Sequence, residues 1–379
     1  MELIVIATLV MLFFLIELLF YKKLLLKRVE YSLSFSKTEA FEGDDMFVDE
    51  VIYNRKPVAM PWIKADIHAS KFLEFANASS AIIDERRLVT SGFMLRGFQK
   101  TKRRWYMKCT RRGVFNIENA TITCGDLLGL VTESKAIPIN TTLTVYPGTI
   151  DINEIFFSSK DLMGEAIVKR FILDDPFIVK GTRDYIPGDA INKINWNATA
   201  RYNRLMVKEN DFTSKIGITA LLNIQSAENE FNFVKDREVI EFGIKAISTI
   251  INRGFKEGMP VRFGSNGCTI SNQSDMILTS VGTGQEHVLE LLATLSNLHL
   301  KNIRSFELYL EKIEDEIRNT QVFIVTAYLN EAIIEVARRM QRKGNTLKFL
   351  VLDIYDESMI MPSDMEIFFM RRELENESA

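Results

Sequence analysis

Residues that carry chemistry are scarce in this chain. Its 379 residues include three histidines and three cysteines. Cys109, Cys124 and Cys268 are scattered, with no Cys-x-x-Cys pair and no histidine close by in sequence. That excludes a disulfide framework and a zinc site of the usual spacing, and it suits a reducing compartment. No His-Glu-x-x-His, Gly-x-Ser-x-Gly or Walker A motif occurs. His68 falls in a strand-rich region, and His287 and His299 lie on or just beyond one expected helix, where a lone histidine packs or faces solvent. Gly282-Thr283-Gly284 precedes that helix but lacks the lysine of a phosphate loop. With no nucleophile–base pair in view, the chain is expected not to be an enzyme. It also lacks an excess of one charge. Its 47 Lys and Arg against 50 Asp and Glu leave a net charge of -3, which argues against a dedicated nucleic-acid binder.

One long apolar run is present. Leu3 to Phe20 is interrupted only by Thr8 and Glu17, and Lys22, Lys23, Lys27 and Arg28 follow it. The length reaches what a membrane-spanning helix needs. No basic residue precedes the run and no small-residue cleavage site follows it, so it reads as an uncleaved anchor. The positive-inside rule puts the remainder on the cytoplasmic side of a cell membrane. A buried N-terminal helix of a soluble protein is the alternative. Domains are expected at 1–28 (anchor), 29–150, 151–212 and 213–379.

Residues 29–150 read as short strands between turn signals such as Gly43-Asp44 and Gly125-Asp126, including Tyr31–Phe35, Phe47–Tyr53, Trp62–Ile67, Arg104–Thr110, Val114–Ile117, Ala120–Thr123 and Thr142–Val145. The pattern suggests an antiparallel β-sandwich of immunoglobulin-like type. From Arg86 to Arg112 there are ten Lys or Arg and no Asp or Glu. Period-two alternation puts Arg104, Tyr106, Lys108 and Arg112 on one face. That face is either plainly solvated or, with Arg96 and Lys102, a surface for anionic lipid.

From residue 213 the pattern alternates strand and helix. Strands are expected at Ile216–Ile224, Val261–Gly264, Val322–Thr326 and Leu347–Leu352. Helices are expected at Asp236–Asn252, closed by Gly254, and at Gln285–Asn297, Phe306–Ile317 with Ser305 as N-cap, and Glu331–Lys343. Gly264-Ser265-Asn266-Gly267 looks like a hairpin turn. Near-continuous apolar strands in such an order imply a doubly wound parallel sheet covered on both faces.

Between the two regions lies a polar segment with no simple period, Gly181 to Asp211. Pro187-Gly188 signals a turn, and Asp189 sits where an N-cap carboxylate would. Ile191, Ile194 and Ala198 share the spacing of one helical face, and Leu205-Met206-Val207 reads as a strand. The pattern Arg183-Asp184-Tyr185, Gly188-Asp189, Ile194-Asn195-Trp196, Thr199-Ala200-Arg201, then Leu205, Val207, Lys208 and Glu209 resembles the signature of a bacterial family, the domain of unknown function 58. Phe41–Asp44, Arg111–Phe115, Asp126–Leu130 and Val145–Pro147 are similar to further segments of that family. The segment is either an architectural joint anchored by Tyr185 and Trp196 or a partner-binding surface. Arg183, Asp184, Tyr185, Asp189, Asn195, Trp196 and Arg201 are the candidate residues of that surface.

The resemblance implies that residues 213–379 form a von Willebrand factor A-like domain. Such domains hold Mg²⁺ with Asp-x-Ser-x-Ser after the first strand. In this chain Asn223, Gln225 and Ala227 stand at the three ligand positions, so the metal site is expected to have lapsed. Asn223 and Gln225 would then be left to hydrogen-bond a partner at the sheet edge. No cofactor is implied. The resemblance also implies a MoxR-type AAA+ ATPase as partner and a scaffold or maturation role. The competing readings are an uncharacterised enzyme working at the signature surface and a binder of anionic membrane or nucleic acid through residues 86–112.

Overall fold

The computed structural model describes residues 8, 11, 26–125, 132–150, 179–186, 194–210, 216–353 and 365–370. The expected anchor, 3–20, lies outside them except for Thr8 and Met11, which are helical. Among the described residues no helix is long and apolar enough to cross a membrane. The described chain is mostly β, with a sandwich followed by an α/β layer structure.

Two sheets build the sandwich. One has the order β1 (Val29–Phe35), β3 (Asp45–Asn54), β8 (Lys100–Cys109), β5 (Leu73–Ala76). The other has the order β2 (Glu39–Phe41), β10 (Thr132–Tyr146), β9 (Gly113–Gly125), β4 (Met60–Ser70), β7 (Arg86–Leu95), β6 (Ser79–Ile83). Pairing is antiparallel throughout apart from β2 on β10. Strict alternation makes the core: Val48 and Ile52 from β3 and Trp105 and Met107 from β8 meet Ile63, Ala65 and Ile67 from β4 and Ile122 from β9. Val114–Ile117 and Ala120–Thr123, expected as two strands, are one continuous strand. Asn119, between them, stays paired with Pro138 of β10, and the register shift falls beside it, between Pro138 and Thr141 of β10.

A carboxyl group sits among these apolar side chains. Glu50 faces inward on β3 and is fully buried. Its Oε1 accepts hydrogen bonds from the Tyr31 hydroxyl (2.8 Å) and the Ser91 hydroxyl (2.6 Å), so the group ties the two sheets together. Burial raises its pKa, against the opposing pull of those hydroxyls and of Arg103. A carboxyl whose pKa is raised on folding contributes stability that is fully present below its unfolded pKa of about 4.3 and is lost as pH rises through the folded value. Glu50→Gln is therefore expected to gain on the unmodified chain as pH rises from 4 to 8. Urea midpoints measured across that range check this. Midpoints that run parallel for both chains would contradict it.

The second domain has the sheet order β16 (Ile277–Leu278), β14 (Val261–Ser265), β13 (Ile218–Leu222), β18 (Gln321–Thr326), β19 (Thr346–Leu352), β20 (Glu366–Met370). It is parallel except for β16 at one edge. Ile218, Ala220 and Leu222 of β13 point to the layer of α2 (Arg237–Lys256) and α3 (Gln285–Ser296). Leu221 points to the opposite layer, α4 (Phe306–Ile313) and α5 (Glu331–Arg342). A short ribbon of β15 (Gly267–Thr269) and β17 (Leu298–Asn302) flanks the sheet. The doubly wound reading of the pattern thus holds.

Local endings differ from expectation for packing reasons. Gly254 does not close α2. It lies inside the helix, where a Cβ would come within 2.7 Å of Val261 and 2.9 Å of Ile218, so it is there for close helix–strand approach. Residues 264–267 make no hairpin turn: β14 runs to Ser265, Asn266 is buried and β15 starts at Gly267. Ser265 and Gly267 pair with different strands, β16 and β17.

Among the described residues, the contacts between the two domains come from outside the Gly181–Asp211 segment. They are made by the β8–β9 turn and the end of β10 against α2. Arg112 is buried there and grips Glu241 of α2 with two charge-assisted bonds, Nε to Oε2 (2.8 Å) and Nη2 to Oε1 (3.0 Å). Its Nη1 donates to the carbonyls of Leu295 (2.6 Å) and Leu298 (3.2 Å) at the end of α3 and just past it. Arg111 pairs with Glu238, and Glu42 with Lys245 (2.9 Å). The Ser248 hydroxyl donates to the Pro147 carbonyl (3.4 Å), and Tyr146 packs into the α/β core.

Candidate functional site

In an open α/β sheet, ligands bind beyond the carboxyl ends of the strands, where the strand order reverses. Here β13 connects outward to β14, and β18, its other neighbour, leads to β19 on the opposite side. The reversal therefore lies between β13 and β18. Asn223 follows β13 at that point and Thr326 ends β18.

The crevice is filled by amide side chains bonded to one another. Asn223 is fully buried. Its Nδ2 donates to the Thr326 hydroxyl (3.0 Å), and its Oδ1 accepts from the backbone of Gln225 (3.0 Å) and from Asn266 Nδ2 (3.3 Å). Gln225 donates Nε2 to the Glu230 carbonyl (3.0 Å), while its Oε1 accepts from Asn266 Nδ2 (3.3 Å) and from the backbone N–H of Phe306 (2.9 Å). The last bond caps α4. Ser305 stands at the N-cap position, but its side chain makes no capping bond. Asn266 completes the set, accepting from the Ile224 backbone (2.9 Å) and donating to the Arg304 carbonyl (3.1 Å).

This arrangement corrects one expectation. Asn223 and Gln225 do not face a partner at the sheet edge, because their polar atoms are used inside the protein. A neutral amide both donates and accepts, so three of them can satisfy each other where a carboxylate and two hydroxyls would need a cation between them. Ser226 donates its hydroxyl to Glu230 Oε1 (2.6 Å), and its backbone N–H bonds Oε2 (2.7 Å). Ala227 offers no donor atom beyond its backbone. Among the described residues no group of three or more His, Cys, Asp or Glu is placed to hold a metal ion.

The signature segment forms a small unit of its own. β11 (Val179–Asp184) pairs antiparallel with β12 (Met206–Asn210), and α1 (Trp196–Tyr202) lies between them in sequence. Asn195 caps α1 by accepting from the Ala198 N–H (3.2 Å), and its own N–H reaches the Met206 carbonyl (2.8 Å). Ile194 is bridged to Val207 ahead of the helix instead of sharing a helical face with Ala198. The Thr199 hydroxyl accepts from Met206 N–H (3.0 Å), and Tyr185 N–H bonds the Leu205 carbonyl (2.9 Å). Asp184 pairs with Arg204 (3.1 Å), and Arg183 Nη1 donates to the Asp184 carbonyl (3.1 Å). Asp189, Pro187 and Gly188 lie outside the described residues.

Several signature residues thus build the unit itself. Others face outward: α1 has no buried residue, Trp196 is 65 % exposed, and Ile186, Arg201, Tyr202 and Leu205 are exposed. The expected anchoring of a domain joint by Trp196 does not occur.

The basic candidates divide in the same way. Arg104 makes a two-bond pair with Asp49 (2.8 and 3.0 Å) and lies 3.8 Å over the Phe47 ring; Lys102 shares Asp49 (2.8 Å). Those bonds, with Arg104 first, hold the Asp49 carboxyl down at about 2. Lys108 stands opposite Asp45 and Glu74 in the sheet register. The stripe is therefore matched by acids on neighbouring strands. Arg112 is not on it at all, since β8 ends at Cys109 and Arg112 turns into the domain joint. Arg96 is exposed at the far end of the sandwich.

Sulfur and imidazole groups are packed away. All three cysteines are buried and free, and burial pushes the Cys109 and Cys124 thiols up to about 11. His287 Nε2 lies 2.8 Å from the Val261 carbonyl, and burial lowers the pKa of His299. The amide network was the part that sequence reading missed. Asn266 and Thr326 lie 43 and 103 positions from Asn223, and only the sheet topology brings them to it.

Comparison with known proteins agrees with the signature. "Uncharacterized protein YeaD" of Bacillus subtilis (strain 168) is 20% identical over 318 residues, covering 82% of this chain and 73% of YeaD. Among solved structures, a non-cellulosomal cohesin from Archaeoglobus fulgidus covers 34% of this chain and 96% of its own, at 15% identity and a TM-score of 0.21. The CARDB domain of the PF1109 protein from Pyrococcus furiosus covers 31% and 91%, at 7% identity and a TM-score of 0.21. Both likenesses are too slight to bear on the fold. Residues 181–367, from the signature unit through the α/β domain into β20, match the family described as "Protein of unknown function DUF58".

Proposed function

We propose that this chain is a membrane-anchored, cytoplasm-facing, non-catalytic scaffold, and that the signature unit is its docking element. In this reading the sandwich is immunoglobulin-like and the α/β domain is a von Willebrand A-like domain. The crevice where that fold would take a ligand is closed by Asn223, Gln225 and Asn266. The carrying observation is the contrast between two places. The topological crevice is internally satisfied, while the signature unit presents Trp196, Arg201 and Tyr202 to solvent on a short, internally stitched frame. Trp, Tyr and Arg are the residue types that dominate interface hot spots. The partner is a MoxR-type AAA+ ATPase, as the family resemblance implies.

Trp196→Ala is expected to weaken binding of that ATPase roughly 10- to 30-fold, the loss typical of an interface aromatic. Being exposed, the change should alter folding stability by no more than about 0.5 kcal/mol. The measurement is a titration of the purified ATPase onto the full chain in lipid nanodiscs, with and without ATP, beside a urea melt of each variant. If the unmodified chain binds no such ATPase in any nucleotide state, this reading of the partner is lost.

A further inference from the structure

The sandwich has two poles, and only one carries the α/β domain. β8 is ten residues long, about 30 Å, and it runs from Lys100 at one pole to Cys109 at the other. Arg111 and Arg112 follow Cys109 and make the domain joint. At the opposite pole three pieces of chain are laced together. The Arg55 N–H bonds the Arg28 carbonyl (3.0 Å), the Phe98 N–H bonds the Lys56 carbonyl (3.0 Å), and the Asn54 N–H bonds the Gln99 carbonyl (2.9 Å). The buried Asn54 side chain donates to both Val58 and Arg96 carbonyls (2.9 Å each). A Cβ on Gly97 would lie 2.1 Å from the Pro57 oxygen, so the two loops touch backbone to backbone. The described chain enters the sandwich here, at Leu26.

Two features of this pole call for a partner. Phe98 is 63 % exposed at its tip and holds φ at 57°, a conformation that a bulky residue adopts only at a cost and that is not offset here by burial. Met94, next to the β7 end, is 80 % exposed. Around them Lys27, Arg28, Arg55, Arg96 and Lys100 are all exposed. Against these stand Glu30, paired with Arg55 (3.1 Å), and the exposed Glu133 close to Lys56. An apolar tip ringed by excess positive charge fits the boundary of an anionic lipid leaflet.

We propose that this pole, with Phe98 at its tip, rests on and dips into the anionic leaflet from which the chain emerges. The proposal rests on the reading of residues 3–20 as an anchor. Residues 21–25 separate that run from Leu26, a reach of at most roughly 20 Å. A bilayer holding the run therefore lies within contact distance of this pole, while the joint pole stands about 30 Å further along the sandwich. The contact differs from a lipid-binding β8 face, whose bases are matched by Asp49, Asp45 and Glu74. It would fix the sandwich upright and hold the α/β domain away from the membrane.

The test uses the full chain in vesicles of phosphatidylcholine, with and without phosphatidylglycerol, carrying nitroxide lipids labelled near the headgroup. Phe98→Trp keeps an aromatic tip, and Ile270→Trp marks an exposed site in the α/β domain. The emission gained by Phe98→Trp is expected to be quenched at least twofold in phosphatidylglycerol vesicles, and that gained by Ile270→Trp is not. Reversal of Arg28, Arg96 and Lys100 to Glu should abolish that difference. A Phe98→Trp chain that co-floats with vesicles while its added emission stays unquenched overturns the proposal and leaves the anchor reading intact. Quenching that survives the triple reversal overturns the assignment to anionic lipid. A chain that floats with neither vesicle overturns the anchor and this proposal together.

Discussion

Arg112→Ala should uncouple the two domains and cost about 3–5 kcal/mol, the usual loss when one member of a buried ion pair is removed. Arg112 is 7 % exposed, and its guanidinium directs its donors to Glu241 and to the carbonyls of Leu295, Ser296 and Leu298. Alanine leaves a buried carboxylate and several carbonyls facing a void that water reaches poorly. Lysine is no substitute, because an ammonium cannot match the planar fork on Glu241 while also serving the end of α3. The flanking pairs, Arg111–Glu238 and Lys245–Glu42, are partly exposed and hold much less. Calorimetry should show one unfolding transition splitting into two. Lys102→Ala, which breaks an exposed pair with Asp49, should stay within about 0.5 kcal/mol. If Arg112→Ala leaves a single transition at an unchanged temperature, the joint is held by something other than this arginine.

That arginine also shows where sequence reading reached its limit. Period-two alternation puts Arg104, Tyr106 and Lys108 on one face, and in the structure all three are exposed while Trp105, Met107 and Cys109, at the alternate positions, are buried to the last residue of β8. Arg112 belongs to the same parity, so pattern alone sends it to solvent. The strand ends three residues earlier, and Glu241 lies 129 positions away, a separation no local pattern encodes. Gly254 fails for a related reason. A glycine near a helix end reads as a stop, yet here it marks the close approach of Val261 and Ile218. Strand–helix alternation, by contrast, is local, and the parallel sheet with helices on both faces was legible from it. In the signature, the N–H of Asn195, which caps α1, bonds the Met206 carbonyl at the start of β12, and the pairing of β12 with β11 is not announced by periodicity.

The amide network permits a sharper test, because it turns on which atoms donate. Asn266 is fully buried, and the two N–H bonds of its Nδ2 are shared among three acceptors: Asn223 Oδ1, Gln225 Oε1 and the Arg304 carbonyl. Asn266→Asp keeps the shape and removes both donors. At neutral pH it would also set a buried negative charge among three oxygens, a cost of about 3–5 kcal/mol. Burial and those oxygens raise the pKa of the introduced carboxyl above the unfolded value of about 3.9. The sign follows from linkage: the loss is smallest below that value, where the group is protonated, and deepens as pH rises through the folded pKa. Asn266→Ala loses the same bonds without adding charge, so its deficit should be about 1–3 kcal/mol and flat with pH. Urea midpoints for both variants, each referred to the unmodified chain at pH 4 and pH 7, separate the two outcomes. A pH-independent Asn266→Asp would mean that water or a cation enters the crevice and shields the charge. Added Mg²⁺ would then be expected to restore the aspartate variant and not the alanine one. The network predicts the reverse of such rescue: with Gln225 and Asn223 still supplying neutral oxygens, a single carboxylate falls short of the ligand set Mg²⁺ requires, and the aspartate variant should stay destabilised with or without the ion.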